Sequence, residues 1–341
     1  MAKPTIGDVA RVAGVTRATV SHAYSGKRSI SAPTKARVFE AAESLGWVPS
    51  HSARALATRR ANAVGLVIAR DPGVIASDSF FPAFIAGLES GLADAEVALL
   101  LQVAASRSAE ERAYRSMAHG KADGVIVIDL HRSDWRVAFL AELGLTAVLL
   151  GAYEQESPFS CVRSDDAVQM RDLITHLRGL GHERIAHVTG PLGYVHSHAR
   201  ARAYVEEIGS EELLREGDFG AASGRDLTGE LLDLTDRPTA VLYANDTMAI
   251  AGLSLARSRD FRVPDDLALA GFDDDHLSAH LSPALTSVAT DPFRRGRITA
   301  EVLLADIDGA TPGSVEIDCN ELRLRASTAA PAPSIAQGGD R

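Results

Sequence analysis

Arg17, Ala18, Ser21 and His22 recur at spacings that put them on one side of a helix. The donors of Arg17, Ser21 and His22 suit base edges and phosphate oxygens, which is the chemistry of reading a DNA major groove. Thr5, Thr19, Ser21 and Thr34 supply short hydroxyls of the kind that hold phosphates. Thr16 and Ser31 join this DNA-contact set and can also cap the helices they precede. A second group of polar residues trails apolar runs that read as strands: Arg70 and Asp71, Asp129, Asn245-Asp246, and Asp273-Asp274. Ligands of open parallel sheets collect at such strand ends.

Catalytic readings find no support. No Gly-x-Gly-x-x-Gly follows the strand at Val64 and no Walker phosphate loop occurs. His176, His182, His187, His196 and His198 lack metal-ligand spacing, and no His-Glu-x-x-His is present. Neither an enzyme, nor a cofactor, nor a metal site is expected.

The first group needs two short helices meeting at a turn. Ile6, Val9 and Ala10 form the apolar face of one, and Val15, Thr19 and Val20 continue it past Gly14, which can adopt positive φ. This is a helix-turn-helix whose second helix should enter a major groove. A surface hairpin of a helical bundle has the same spacing but does not explain the basic charge around it. Ser31 and Pro33 open a third helix, with Val38, Ala41, Ala42 and Leu45 as its buried stripe and Gly46 as its end. Through residue 60, ten basic residues face three acidic ones. That segment therefore carries +7 in a chain of net −10, leaving −17 for residues 61–341. A basic head on an acidic body is the asymmetry of a chain that meets nucleic acid at one end.

The remaining elements alternate. Strands are expected at 64–68, 97–102, 124–128 and 147–150, with helices at 82–92, 109–119 and 134–143 between them. A second series has helices at 167–179, 199–208, 224–234 and 246–258 and strands at 184–189, 240–244 and 267–271. Such alternation demands parallel sheets with helices on both faces, here as two Rossmann-like lobes with a cleft between them. No run approaches 18 apolar residues and no signal-peptide segment opens the chain, so a cytoplasmic protein is expected. Cys161 and Cys319 are expected to stay reduced.

After the third helix comes Trp47-Val48-Pro49-Ser50-His51-Ser52-Ala53-Arg54-Ala55-Leu56-Ala57. With the helix-turn-helix and the runs Gly181-His182-Glu183-Arg184-Ile185-Ala186, Gly271-Phe272-Asp273-Asp274 and Leu281-Ser282-Pro283-Ala284-Leu285, it resembles the LacI/GalR family of bacterial transcription regulators over nearly the whole length. His22 stands where an Arg is common in that family, and Tyr24-Ser25 replaces the usual Leu-Asn.

The resemblance implies a helix-turn-helix domain at 1–48, a hinge helix and linker at 49–61, and a two-lobed, periplasmic-binding-protein-like α/β body at 62–328. Its first lobe would hold about 62–161 and 292–320 and its second about 162–291 and 321–328, with a disordered tail at 329–341. It also implies that Ala53 and Leu56 reach DNA from paired hinge helices, Leu56 as a minor-groove wedge, although packing against the body is the plainer role for Leu56. Arg200 takes the position that grips effector hydroxyls or carboxylates, with an ordinary ion pair as its alternative. Phe219 takes the position of a ring-stacking aromatic, with core packing as its alternative, and Phe80 and Phe81 match a pair that packs near the ligand. Asp246 reads equally as a ligand contact or a helix cap, and Asp273 precedes Asp274 and Asp275 as the cleft residue, one of the three being solvated.

Aspartates, a guanidinium and an aromatic ring together suit a neutral polyhydroxylated ligand. The expected protein is a homodimeric repressor that binds a pseudo-palindromic operator and answers to a sugar or sugar derivative. A nucleoside or purine effector is the second reading, and a solute-binding receptor a distant one.

Overall fold

The structure, a computed structural model, describes residues 4–25, 28–47, 60–311, 313–318 and 320–329. Its head consists of α1 (Ile6–Ala13), α2 (Arg17–Ser25) and α3 (Ala32–Ser44). Each start is set by a side chain. The Thr5 hydroxyl and backbone N–H both donate to the Asp8 carboxylate, at 2.7 and 3.0 Å. Thr16 Oγ1 accepts from Thr19 N at 3.1 Å, and Ser31 Oγ accepts from Thr34 N at 3.4 Å. Gly14 turns the chain between α1 and α2 at φ 64°, a conformation that a Cβ would strain. Val9, Ala10, Ala13, Val20, Ala23, Val38, Ala41 and Ala42 close a small core of mostly short side chains, which lets three short helices cross tightly.

The body holds two six-stranded sheets. The first contains β1 (Ala63–Ile68), β2 (Ala98–Val103), β3 (Gly124–Val127), β4 (Thr146–Leu150), β5 (Ser160–Arg163) and β11 (Ser314–Glu316). Their order is β11-β5-β4-β3-β1-β2, parallel throughout. The second contains β6 (Ile185–Thr189), β7 (Leu214–Glu216), β8 (Ala240–Tyr243), β9 (Ala268–Phe272), β10 (Thr286–Ala289) and β12 (Glu321–Arg323). Its order is β12-β10-β9-β8-β6-β7, parallel except that β12 runs against β10. β1, β3, β8 and β9 are buried along their length, as strands covered on both faces must be.

In the first lobe α4 (Pro72–Ser77), α5 (Phe80–Leu92), α6 (Arg107–Ser116) and α7 (Trp135–Glu142) link the strands. In the second, α8 (Asp166–Gly179), α9 (Val195–Ile208), α10 (Ala221–Leu232) and α11 (Asp246–Ser258) do so. α12 (Pro292–Ile307) returns to pack on α5 so closely that a Cβ at Gly296 would collide with the Phe84 carbonyl oxygen. The chain therefore crosses between sheets three times: after β5, after β10, and between β11 and β12.

Several expected bounds move. α6 ends at Ser116, because a wider turn with Gly120 at φ 93° takes over before β3. α9 begins four residues before the expected Ala199, which brings His196 into the helix. α4, β5, β7, β11 and β12 are too short to leave a periodic signal. Among the described residues no helix is long and apolar enough to cross a membrane.

Candidate functional site

On the head, Arg17 and Ala18 are exposed at the start of α2, while Thr19, Ser21 and His22 are half-buried along it. Three of the hydroxyls assigned to phosphates, Thr5, Thr19 and Thr34, have partners inside the head: Thr5 with Asp8, Thr19 with Thr16 at 2.9 Å, and Thr34 with Ser31 at 2.9 Å. They order the helix starts, leaving lone pairs and nearby helix N–H groups facing outward. His22 Nδ1 is buried and has no hydrogen-bond partner among the described residues. Tyr24 packs edge-on against Phe39 at 4.9 Å and Trp47 at 5.5 Å, so this departure from the family pattern is filled by aromatic packing. Ala53 and Leu56 lie outside the described residues.

The two lobes meet around a cleft at the carboxyl ends of both sheets. Of the expected effector residues, Arg200, Asp273, Phe219, Phe80, Phe81 and Asp129 line it, as does Arg70. Arg70 donates from Nε to Asp129 Oδ2 at 2.7 Å. Burial would raise the Asp129 carboxyl, but the Arg70 guanidinium outweighs it and holds the group below the usual carboxylate range. On the second lobe, Arg200 donates to Ala244 O at 3.0 Å, reaches Asp166 at 3.4 Å, and stacks 4.0 Å from the Phe272 ring. Arg295 approaches the same Asp166 oxygen at 3.6 Å. Burial raises Asp166 too, yet Arg200 and then Arg295 prevail and keep it ionised. Arg200 is thus ion-paired, as one reading expected, and its guanidinium lines the cleft.

Asp273 leaves β9 at φ 90° and accepts from Thr290 Oγ1 at 2.9 Å. The expectation that one member of its acidic trio is solvated is not met. Asp274 pairs with Arg325 at 2.6 Å, Asp275 accepts from Leu277 N at 2.7 Å, and all three are half-buried. Phe219 is both core and wall: its ring fills the space above Gly190, where a Cβ would collide with it, and is only 4 % exposed.

Three expected contacts sit elsewhere. Asp246 does not line the cleft and is not the cap of α11. Its carboxyl is buried under the loop after β9, accepting from Ser278 Oγ and Asp275 N on one oxygen and Ser287 Oγ on the other. The first residue of a helix points back along the strand end, and here that space is protein. Asn245 is the cap, accepting from Met248 N at 3.0 Å, and its Nδ2 donates across the cleft to Asp78 at 3.2 Å and to Phe219 O at 3.0 Å. Asp71 caps α4 through Gly73 N at 2.7 Å and faces an outer recess instead.

The cleft also contains Asp78, Asp166, His196 and Arg295, which sequence reasoning does not single out as effector contacts. Asp166 comes after a strand end as Asp273 does, but β5 is too short to be recognised. Asp78 is two residues before Phe80, in a loop with no periodic signal. His196 enters the sequence reading only among histidines that lack metal-ligand spacing. Burial first, then the Arg200 charge, lowers His196 to about 4, so it is neutral at ordinary pH. Burial and the neighbouring Asp273 charge raise Asp78 to about 6.

Comparison with known proteins agrees with this geometry. Bacterial regulatory proteins of the lacI family match at residues 5–50, and a periplasmic binding protein-like domain matches at 174–328. The HTH-type transcriptional regulator CelR of Thermobifida fusca is 33 % identical over 325 residues, covering 92 % of this chain and 95 % of CelR. The HTH-type transcriptional repressor CytR of Escherichia coli (strain K12) is 30 % identical, covering 96 % of both chains. Among solved structures, a transcriptional regulator CelR–cellobiose complex superposes with a TM-score of 0.74 at 31 % identity, over 95 % of this chain and 100 % of that one. The lac repressor dimer bound to operator and the anti-inducer ONPF gives 0.82 at 25 % identity, over 96 % and 100 %.

A basic helix-turn-helix head joined to a two-lobed body with a polar cleft defines a ligand-responsive DNA-binding regulator. The chain belongs to the lacI family of bacterial regulatory proteins, and it is a transcriptional regulator rather than an enzyme.

Proposed function

We propose that this chain is a cytoplasmic, homodimeric repressor that reads a pseudo-palindromic operator and whose operator affinity is set by a neutral carbohydrate in the cleft. The observation that carries the ligand class is the charge arrangement. Arg70 is committed to Asp129, and Arg200 and Arg295 both face Asp166, so each cleft guanidinium already lies against a carboxylate. Asp78 and Asp273 remain as acceptors for hydroxyl donors, and Phe80, Phe81 and Phe219 offer ring surface. Similarity to CelR, known in a cellobiose complex, supports the same class. Arg17, Ala18 and His22 would read bases, and Thr5, Thr19, Ser21 and Thr34 would hold phosphates, with Ala53 and Leu56 adding minor-groove contacts.

A nucleoside or purine is the competing class. Thermal unfolding of the full chain against cellobiose, other neutral disaccharides, nucleosides and sugar phosphates separates them. A bound ligand at a hundredfold excess over Kd adds about 2.7 kcal/mol. Stabilisation by a neutral sugar supports the proposal, whereas stabilisation confined to nucleosides, purines or phosphates overturns it.

A further inference from the structure

We propose that Asp78 and Asp273, carried by opposite lobes, form a carboxyl pair that takes up a proton when the cleft closes, so that acid favours closure. This rests on the cleft proposed above as the effector site, but not on which effector enters it. Asp78 lies between α4 and α5, is 6 % exposed, and is fixed by Phe80 N at 3.0 Å and by Asn245 Nδ2 from the other lobe at 3.2 Å. Asp273 extends from the end of β9 into the same cleft, fixed by Thr290. The lobes also touch where Thr247 Oγ1 donates to Ser77 O at 3.2 Å and where Val195 N donates to Leu130 O at 2.8 Å.

The surrounding charges do not cancel the pair. Arg70 faces Asp78 from its own lobe but is held by Asp129. Arg200 from α9 and Arg295 from α12 face Asp273, but Asp166 lies against both. His196 carries no charge above its depressed range. Two carboxylates sharing one water-poor site disfavour double ionisation. Accordingly Asp78 is raised to about 6, by burial first and then by Asp273. Asp273 is itself raised, by burial, against the pull of Arg200.

In an opened cleft each carboxyl would be hydrated and would titrate near the ordinary value of about 4. The closed form thus binds protons more tightly than the open one. For Asp78 this makes closure most favourable below about pH 4 and weaker as pH rises through about 6. Asp78 is then ionised at neutral pH, and hydroxyl donors of an effector placed beside it would satisfy its oxygens.

Energy transfer between fluorophores at Ser133→Cys and Arg202→Cys, exposed positions on opposite lobes, reads closure in the full chain without ligand. Transfer should fall as pH rises from 4.5 to 6.5. With Asp78→Asn it should lose that slope, and Asp273→Asn, an independent near-isosteric change, should lose it too. A flat response in the parent, or an unchanged slope in either folded variant, overturns the proposal. A slope that both variants abolish, in a protein that binds no sugar, supports the carboxyl pair and counts against the carbohydrate reading alone.

Discussion

The guanidinium of Arg70, just past the end of β1, lies 4.3 Å from the ring centroid of Phe219 on the opposite lobe. It also lies 4.8 Å from the Tyr194 ring while Nε holds Asp129. One side chain therefore ties a buried carboxylate of one lobe to the aromatic wall of the other.

Arg70→Met should destabilise the body by about 3–5 kcal/mol, because it leaves Asp129 buried without its cation. Adding Asp129→Asn should recover much of that loss. A double-mutant cycle by urea denaturation checks this, and additive losses would show that the pair does not act as a unit. In the parent, Asp129 is held below its unfolded value. Its contribution is present above about pH 4 and lost only as pH falls through the depressed folded pKa.

Asp246 should behave as a structural group. Burial, despite its bonds to Ser278 and Ser287, raises it to about 7. A carboxyl raised on folding stabilises most below its unfolded pKa, and that contribution is lost as pH rises from about 4 to about 7. Asp246→Asn should flatten this part of the stability profile and leave effector affinity within about twofold. Asp246→Ala should cost about 1–3 kcal/mol by leaving buried hydroxyls unpaired. A large loss of effector affinity in a stably folded Asp246→Asn variant would return Asp246 to the ligand site.

These two aspartates show how far the sequence reaches. Strand ends are legible because β1, β3, β8 and β9 are continuous apolar runs, and the rule that ligands gather there locates Asp129 and Asp273. Which neighbouring acid faces the ligand is not legible. Asn245 and Asp246 are adjacent, yet one crosses the cleft and the other is enclosed by Ser278 and Ser287, residues more than 30 positions away. Asp78 belongs to the site only because the lobes close on it, a long-range fact that leaves no periodic trace. Arg295 reaches the cleft on α12, whose return to the first lobe is implied by family resemblance and not by the spacing of its residues.

Arg17→Ala should relax sequence preference. A bidentate guanine contact is worth about 1–3 kcal/mol of discrimination, so affinity for a selected operator should fall by that amount while affinity for random duplex changes little. Equal losses on both duplexes in fluorescence anisotropy would reassign Arg17 to a phosphate.

The most direct measurement is operator affinity, for a pseudo-palindrome selected from random duplexes, with and without each neutral sugar that stabilises the protein. Coupling between two sites on one chain is typically about 5- to 150-fold. The expected result is a shift of that size with at least one neutral oligosaccharide, and operator DNA changing sugar affinity by the same factor. Operator affinity that stays constant for every bound sugar, or moves only with a nucleoside, would contradict a carbohydrate-controlled regulator.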